Sequence, residues 1–82
     1  MNKIQHFLLV FDHAQARLIE EQHFLEDGRA ALAAYAAKES EHNGDRNIEI
    51  VLIGSDSIET VKLTHANYYD GSVSVSKYLA GI

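Results

Sequence analysis

The segment NIEIVLIGSDSIETVKLTHANYY, Asn47 to Tyr69, is the part of the chain from which the fold can be read. Five of the six residues from Ile48 to Ile53 are aliphatic and most are β-branched. Such side chains fit a pleated surface better than a helix. A near-continuous apolar run of this length predicts a strand covered on both faces. Gly54 is placed to end it, because glycine adopts positive φ where a chain turns sharply. Ser55-Asp56-Ser57 then opens a helix. Asp56 stands three residues before Glu59, in the spacing of a capping box, so Asp56 is the expected N-cap. Ile58, Val61 and then Ala66 or His65 make its inward face.

Working outward towards the N-terminus, Ile4 to Phe11 reads as a first strand. Ile4, His6, Leu8 and Val10 alternate with Phe7, Leu9 and Phe11, and both faces are mostly apolar. That pattern predicts a central strand. Asp12-His13-Ala14-Gln15 is the turn. Arg17 to Phe24 is a second strand interrupted by Glu20, Glu21, Gln22 and His23, a polar run that suits a sheet edge. The short connection makes it the antiparallel partner of the first strand. Glu26-Asp27-Gly28 opens a helix to about His42, through the strong helix formers of ALAAYAAKESEH. Leu32, Tyr35 and Ala36 are expected to share its inner face, with Ala31 beside them. Asn43-Gly44-Asp45 closes it, since Asn or Gly takes the left-handed position after a helix.

These elements predict an α+β domain over residues 1–70. It is a three-stranded antiparallel sheet in the order 2-1-3, connected ββαβα, with two helices. Both helices on one face would leave Phe7, Leu9 and Phe11 in need of cover, from a second copy or from the tail. The tail, residues 71–82, alternates Val73 and Val75 with serines. It reads either as a fourth strand or as a segment that orders only on assembly.

The chain has 82 residues, a formal net charge of −5 and no cysteine or proline. A domain of this size buries only about 60% of its unfolded surface, so dimerisation is an economical source of further burial. Without cysteine there is neither a disulfide nor a thiolate zinc site, which fits a reducing compartment. The seven Lys and Arg residues form no basic cluster, which argues against nucleic acid as a partner. No apolar run approaches the ~20 residues of a membrane span, and the start of the chain lacks the pattern of a signal peptide. A cytoplasmic protein is expected.

The five histidines, His6, His13, His23, His42 and His65, show none of the i, i+3 or i+4 spacings of helical metal ligands. No metal and no cofactor is expected, although His6 and His23 stand at similar distances from the hairpin turn. Ser57 and His65 are two helical turns apart, too far for a nucleophile and its base. Glu39 shares a face with Leu32 and Tyr35 and is a candidate for partial burial. No catalytic set emerges, and an enzyme is not expected. Two surface sites remain. Ser55, Asp56 and Ser57 sit at a helix end where N–H groups and the helix dipole favour anions, although Asp56 places its own charge there. Tyr68 and Tyr69 form a contact surface with Val73 and Val75, or else one ring closes the core.

The pattern HFLLVFDHAQARLIEEQHF, then ALAAYAAKESEH, then IEIVLIGSDSIETVKLTHANYY resembles a small actinobacterial-type family of uncharacterised function. It is also similar to an accessory segment of proteins carrying a RelA/SpoT-type (p)ppGpp synthetase region. The matching positions are Ile50 to Ile53, Ser55 to Ser57, Ile58 to Val61 and the pair Tyr68-Tyr69. The synthetase's nucleotide- and metal-binding residues have no counterpart here. The resemblance therefore implies an accessory or interaction role, with no catalytic residue carried over. The expected function is a non-catalytic interaction or regulatory module, a homodimer or the partner of another protein. The alternative is a small domain responsive to a polar ligand or nucleotide at Ser55-Ser57.

Overall fold

A computed structural model describes residues 3–71. The elements are β1 (Gln5–Asp12), β2 (Arg17–Leu25), α1 (Gly28–Glu41), β3 (Ile48–Ser55), α2 (Ile58–Thr64) and α3 (Ala66–Asp70). The sheet has the expected order β2-β1-β3, and β1 is antiparallel to both neighbours. The fourth strand expected from Val73 and Val75 lies outside the described residues.

Each connection has a local cause. Asp12 Oδ1 accepts hydrogen bonds from the N–H groups of Ala14 and Gln15, at 2.9 and 3.4 Å, which folds the chain back after β1. Ala16 completes the turn at φ 54°. Asp27 caps α1 by accepting from Ala30 N at 2.9 Å. Gly44, at φ 86°, reverses the chain after α1.

The helices do not share a face of the sheet. Phe7, Leu9, Ile53 and Val61 form one buried cluster, with Val51, Ile58, Tyr68 and Tyr69 packed against it. This places α2 and α3 over the side of β1 that carries Phe7, Leu9 and Phe11. On the other side the His6 ring lies against Gly28, and Lys38 reaches Glu20, the cross-strand neighbour of Val10. So α1 covers His6, Leu8 and Val10. The result is three layers, and the cover expected from a second copy or the tail comes from α2 and α3. All five residues from Phe7 to Phe11 are buried, as a central strand requires.

Three local readings are corrected. Gly54 does not end β3: it is a strand residue opposite His6, and a Cβ there would meet Ile4 Cγ2 at 3.2 Å. Its role is room for Ile4. The inner face of α1 is not built on Leu32 and Ala36, which are exposed; Ala31 is its buried residue, with Ala34, Tyr35 and Lys38 half-buried. The second helix breaks at His65 into α2 and α3. The Thr64 hydroxyl donates to the Thr60 carbonyl at 3.1 Å and also bonds His65 Nδ1 at 2.8 Å. A threonine that bonds back to the carbonyl four residues earlier weakens helical continuation.

Candidate functional site

The polar chemistry of the α2–α3 face is built around Tyr68 and Tyr69. Neighbours on a helix diverge by about 100°, so the two phenols reach opposite edges of the sheet. Tyr68 Oη donates to Glu49 Oε2 on β3 at 2.5 Å, and Tyr69 Oη donates to Glu21 Oε1 on β2 at 2.8 Å. Each carboxylate has a histidine on its other oxygen. His13 Nε2 lies 2.7 Å from Glu49 Oε1, and His23 Nε2 lies 2.6 Å from Glu21 Oε2. The face thus carries two His–Glu–Tyr groups, one at each edge strand.

The two groups differ in burial. The difference lies in the histidines: the His13 side chain is 3% exposed and that of His23 43%, whereas the Glu49 and Glu21 side chains are alike at 23% and 28%. Phe11 stands edge-on to His13 and to Tyr68, with centroids 5.0 and 5.5 Å away, and Phe7 stands edge-on to His23 at 5.0 Å. Lys62 Nζ is 5.7 Å from the centroid of Tyr69. Burial raises the Glu21 carboxyl, but the hydrogen bonds from His23 and Tyr69 outweigh it and leave it below the ordinary 4.5. Such a group stabilises the fold above its unfolded value, and the contribution is lost as pH falls through the lowered one. On the α1 face, the hydrogen bond from Lys38 likewise holds Glu20 below 4.5.

Burial, then the hydrogen bond to Glu49, pushes the Tyr68 phenol well above its ordinary 10.0, and burial with Glu21 does the same for Tyr69. A raised folded value contributes stability below the unfolded value, lost as pH rises through the folded one. In an alkaline absorbance titration, Tyr68 and Tyr69 are therefore expected to ionise only as the chain unfolds, later than in denaturant. Ionisation of all four tyrosines near pH 10 with secondary structure retained would refute this.

The structure places the other predicted residues as follows. Ser57, not Asp56, caps α2: its Oγ accepts from Thr60 N at 3.1 Å. Thr60 stands at the third helical position, and its hydroxyl reaches back to Ser57 at 3.1 Å, so the reciprocal pair is Ser57–Thr60 rather than Asp56–Glu59. The hydroxyl of Thr60, followed by those of Ser55 and Ser57, holds Asp56 below its ordinary value. The helix end is thus occupied by its own hydroxyls and a carboxylate. Val73 and Val75 lie outside the described residues. His6 and His23 do not meet: His6 is opposite Leu25 and His23 opposite Phe7, on opposite faces. Glu39 is exposed and accepts from Tyr35 Oη at 3.3 Å.

A cavity of about 350 Å³ lies between the end of α1 and the start of β3, lined by Glu39, His42, Asp45, Ile48, Glu49 and Ile50 among others. It is acidic and open. Among the described residues no cluster of His, Asp and Glu is arranged to hold a metal ion, and no helix is long and apolar enough to cross a membrane. Sequence spacing did not reveal the two His–Glu–Tyr groups, because their members are up to 48 residues apart. A usable signal was present: Glu49 is the one charge inside an apolar strand, and such a charge needs a partner.

The structure defines a small three-layer domain with two His–Glu–Tyr groups tied into the packing of α3. Comparison with protein-family models, curated proteins and solved structures yields no match for this chain.

Proposed function

We propose that this protein is a non-catalytic interaction module that associates with itself. The observation that carries the reading is where the surface remains open. Both sheet faces are covered by the chain's own helices, and the His–Glu–Tyr groups are engaged in holding α3. Among the described residues, the outer strands keep one unpaired edge each. Unpaired strand edges are templates for another chain. Large apolar side chains also reach solvent, with Leu32 60% exposed on α1 and Leu63 81% exposed on α2.

Small domains gain most from association, because their own burial is limited. An acidic chain without a basic patch is a poor fit for nucleic acid, and self-association without a membrane suits a cytoplasmic setting. Sedimentation equilibrium of the full chain over a dilution series tests the reading. The expected species has twice the 9.1 kDa chain mass and dissociates on dilution. A single 9.1 kDa species at every concentration would overturn it.

A further inference from the structure

We propose that the self-association just argued runs through β3, with a second copy of the chain pairing its own β3 antiparallel about a two-fold axis. This gives one continuous six-stranded sheet. The inference rests on the self-association reading and adds which surface carries it and in what orientation.

Charge distinguishes the two edges. β2 presents Arg17, Glu20, Glu21 and His23, whereas β3, IEIVLIGS, has the single charge of Glu49. A two-fold pairing of β2 along its whole length would set Glu21 opposite Glu21, and like charges directly opposed destabilise a ladder. A two-fold pairing of β3 centred on Val51 or on Leu52 sets that residue opposite its own copy, and Glu49 opposite the apolar Ile53 or the uncharged Ser55. The two Glu49 residues are then four or six positions apart along the strand, about 14 or 20 Å at ~3.4 Å per residue. That exceeds the ~8–10 Å over which salt screens charges. Each Glu49 is already drawn to its own His13 and Tyr68.

Shape points the same way. The β1–β2 register shifts twice, between His6 and Phe7 and between Val10 and Phe11, whereas β1–β3 runs unbroken from Gln5–Ser55 to Asp12–Ile48. Bulges twist an edge and protect it, and a regular apolar edge is the one that pairs. Symmetry then selects the occupant. Joining β2 of one copy to β3 of another is a head-to-tail contact that does not close in a pair, whereas β3 against β3 closes as a dimer. The two-fold axis is perpendicular to the sheet, so both α1 helices lie on the same face, one on each side of the axis. Leu32 and the exposed Ala33, Ala36 and Ala37 are on this helix.

The test combines hydrogen exchange and sedimentation on the full chain, using two variants, Ile50→Lys on β3 and Ile19→Lys on β2, each checked for native circular dichroism. In the dimer, alternate amides of Ile48–Ser55 that point away from β1 are expected to exchange slowly and to lose protection on dilution. Ile50→Lys should weaken dimerisation by about 100-fold, and Ile19→Lys should leave it unchanged. A dimer whose added protection falls on β2 or α1 while β3 stays unprotected would overturn this interface and leave self-association standing. Sedimentation as a monomer throughout would remove both. The wild-type exchange pattern decides the matter even where Ile50→Lys fails to fold.

Discussion

Phe11→Ala is expected to lower the unfolding free energy by about 3–5 kcal/mol, the range for truncating a buried aromatic. Phe11 is fully buried on the central strand. It stands edge-on to both His13 and Tyr68, and each such contact adds about 0.5–1.5 kcal/mol beyond area burial. At about 0.05–0.15 kcal/mol per residue, the whole domain has roughly 4–12 kcal/mol, so the variant stands at the margin of folding. Urea denaturation followed by circular dichroism measures the effect. Phe11→Leu should recover a large part of it, since a Leu fills more of the cavity than an Ala. A loss under about 1 kcal/mol for Phe11→Ala would mean that α3 is not seated on this ring.

Glu49→Ala is expected to cost about 2–4 kcal/mol through electrostatics and hydrogen bonding. One carboxylate serves two partners, Tyr68 Oη at 2.5 Å and His13 Nε2 at 2.7 Å. Hydrogen bonds to a charged group contribute about 1.5–3 kcal/mol each, and a polar group left buried without its partner adds a desolvation penalty. Removing one member of a fully buried pair costs about 3–5 kcal/mol, and the 23% exposure of Glu49 places this site below that range. The loss should be local before it is global, with amides of α3 losing exchange protection at denaturant concentrations that leave β1 protected. Glu21→Ala should cost less, since the carboxylates are similarly exposed but His23 is 43% exposed against 3% for His13, so solvent replaces what His23 loses. Equal costs for the two glutamates would show that burial of the histidine does not set the strength of these groups.

These expectations also separate roles that look alike in the sequence. Tyr68 and Tyr69 are adjacent aromatics, and the same two residues suggest a contact surface for a partner. In the fold each phenol is bonded to a carboxylate of its own sheet, and both rings pack on the Phe7–Leu9 cluster. Their position explains why α3, only five residues long, holds to the sheet: it is tied to both edge strands at once. The sequence-level alternative of a ring closing the core describes both rings.

Residue type and patterning were sufficient for the three strands and the extent of α1, and the hairpin with the simplest crossover was sufficient for the order β2-β1-β3. Alternation of two and runs of helix formers are short-range properties, and a four-residue turn after Asp12 leaves β2 little choice of neighbour. The charge contrast between the β2 and β3 edges was equally legible, because it is written in the side chains of single strands. Packing settled the rest. No local rule assigns α2 and α3 to the face opposite α1, or brings together Glu49 and His13, 36 residues apart. The break at His65 and the exchange of Asp56 for Ser57 as N-cap came from hydroxyl bonds of Thr64 and Thr60, which compete with helix formation at energies near 1 kcal/mol. Differences that small are resolved by burying Val61 and seating the two tyrosines, and both depend on residues brought close only when the sheet is assembled.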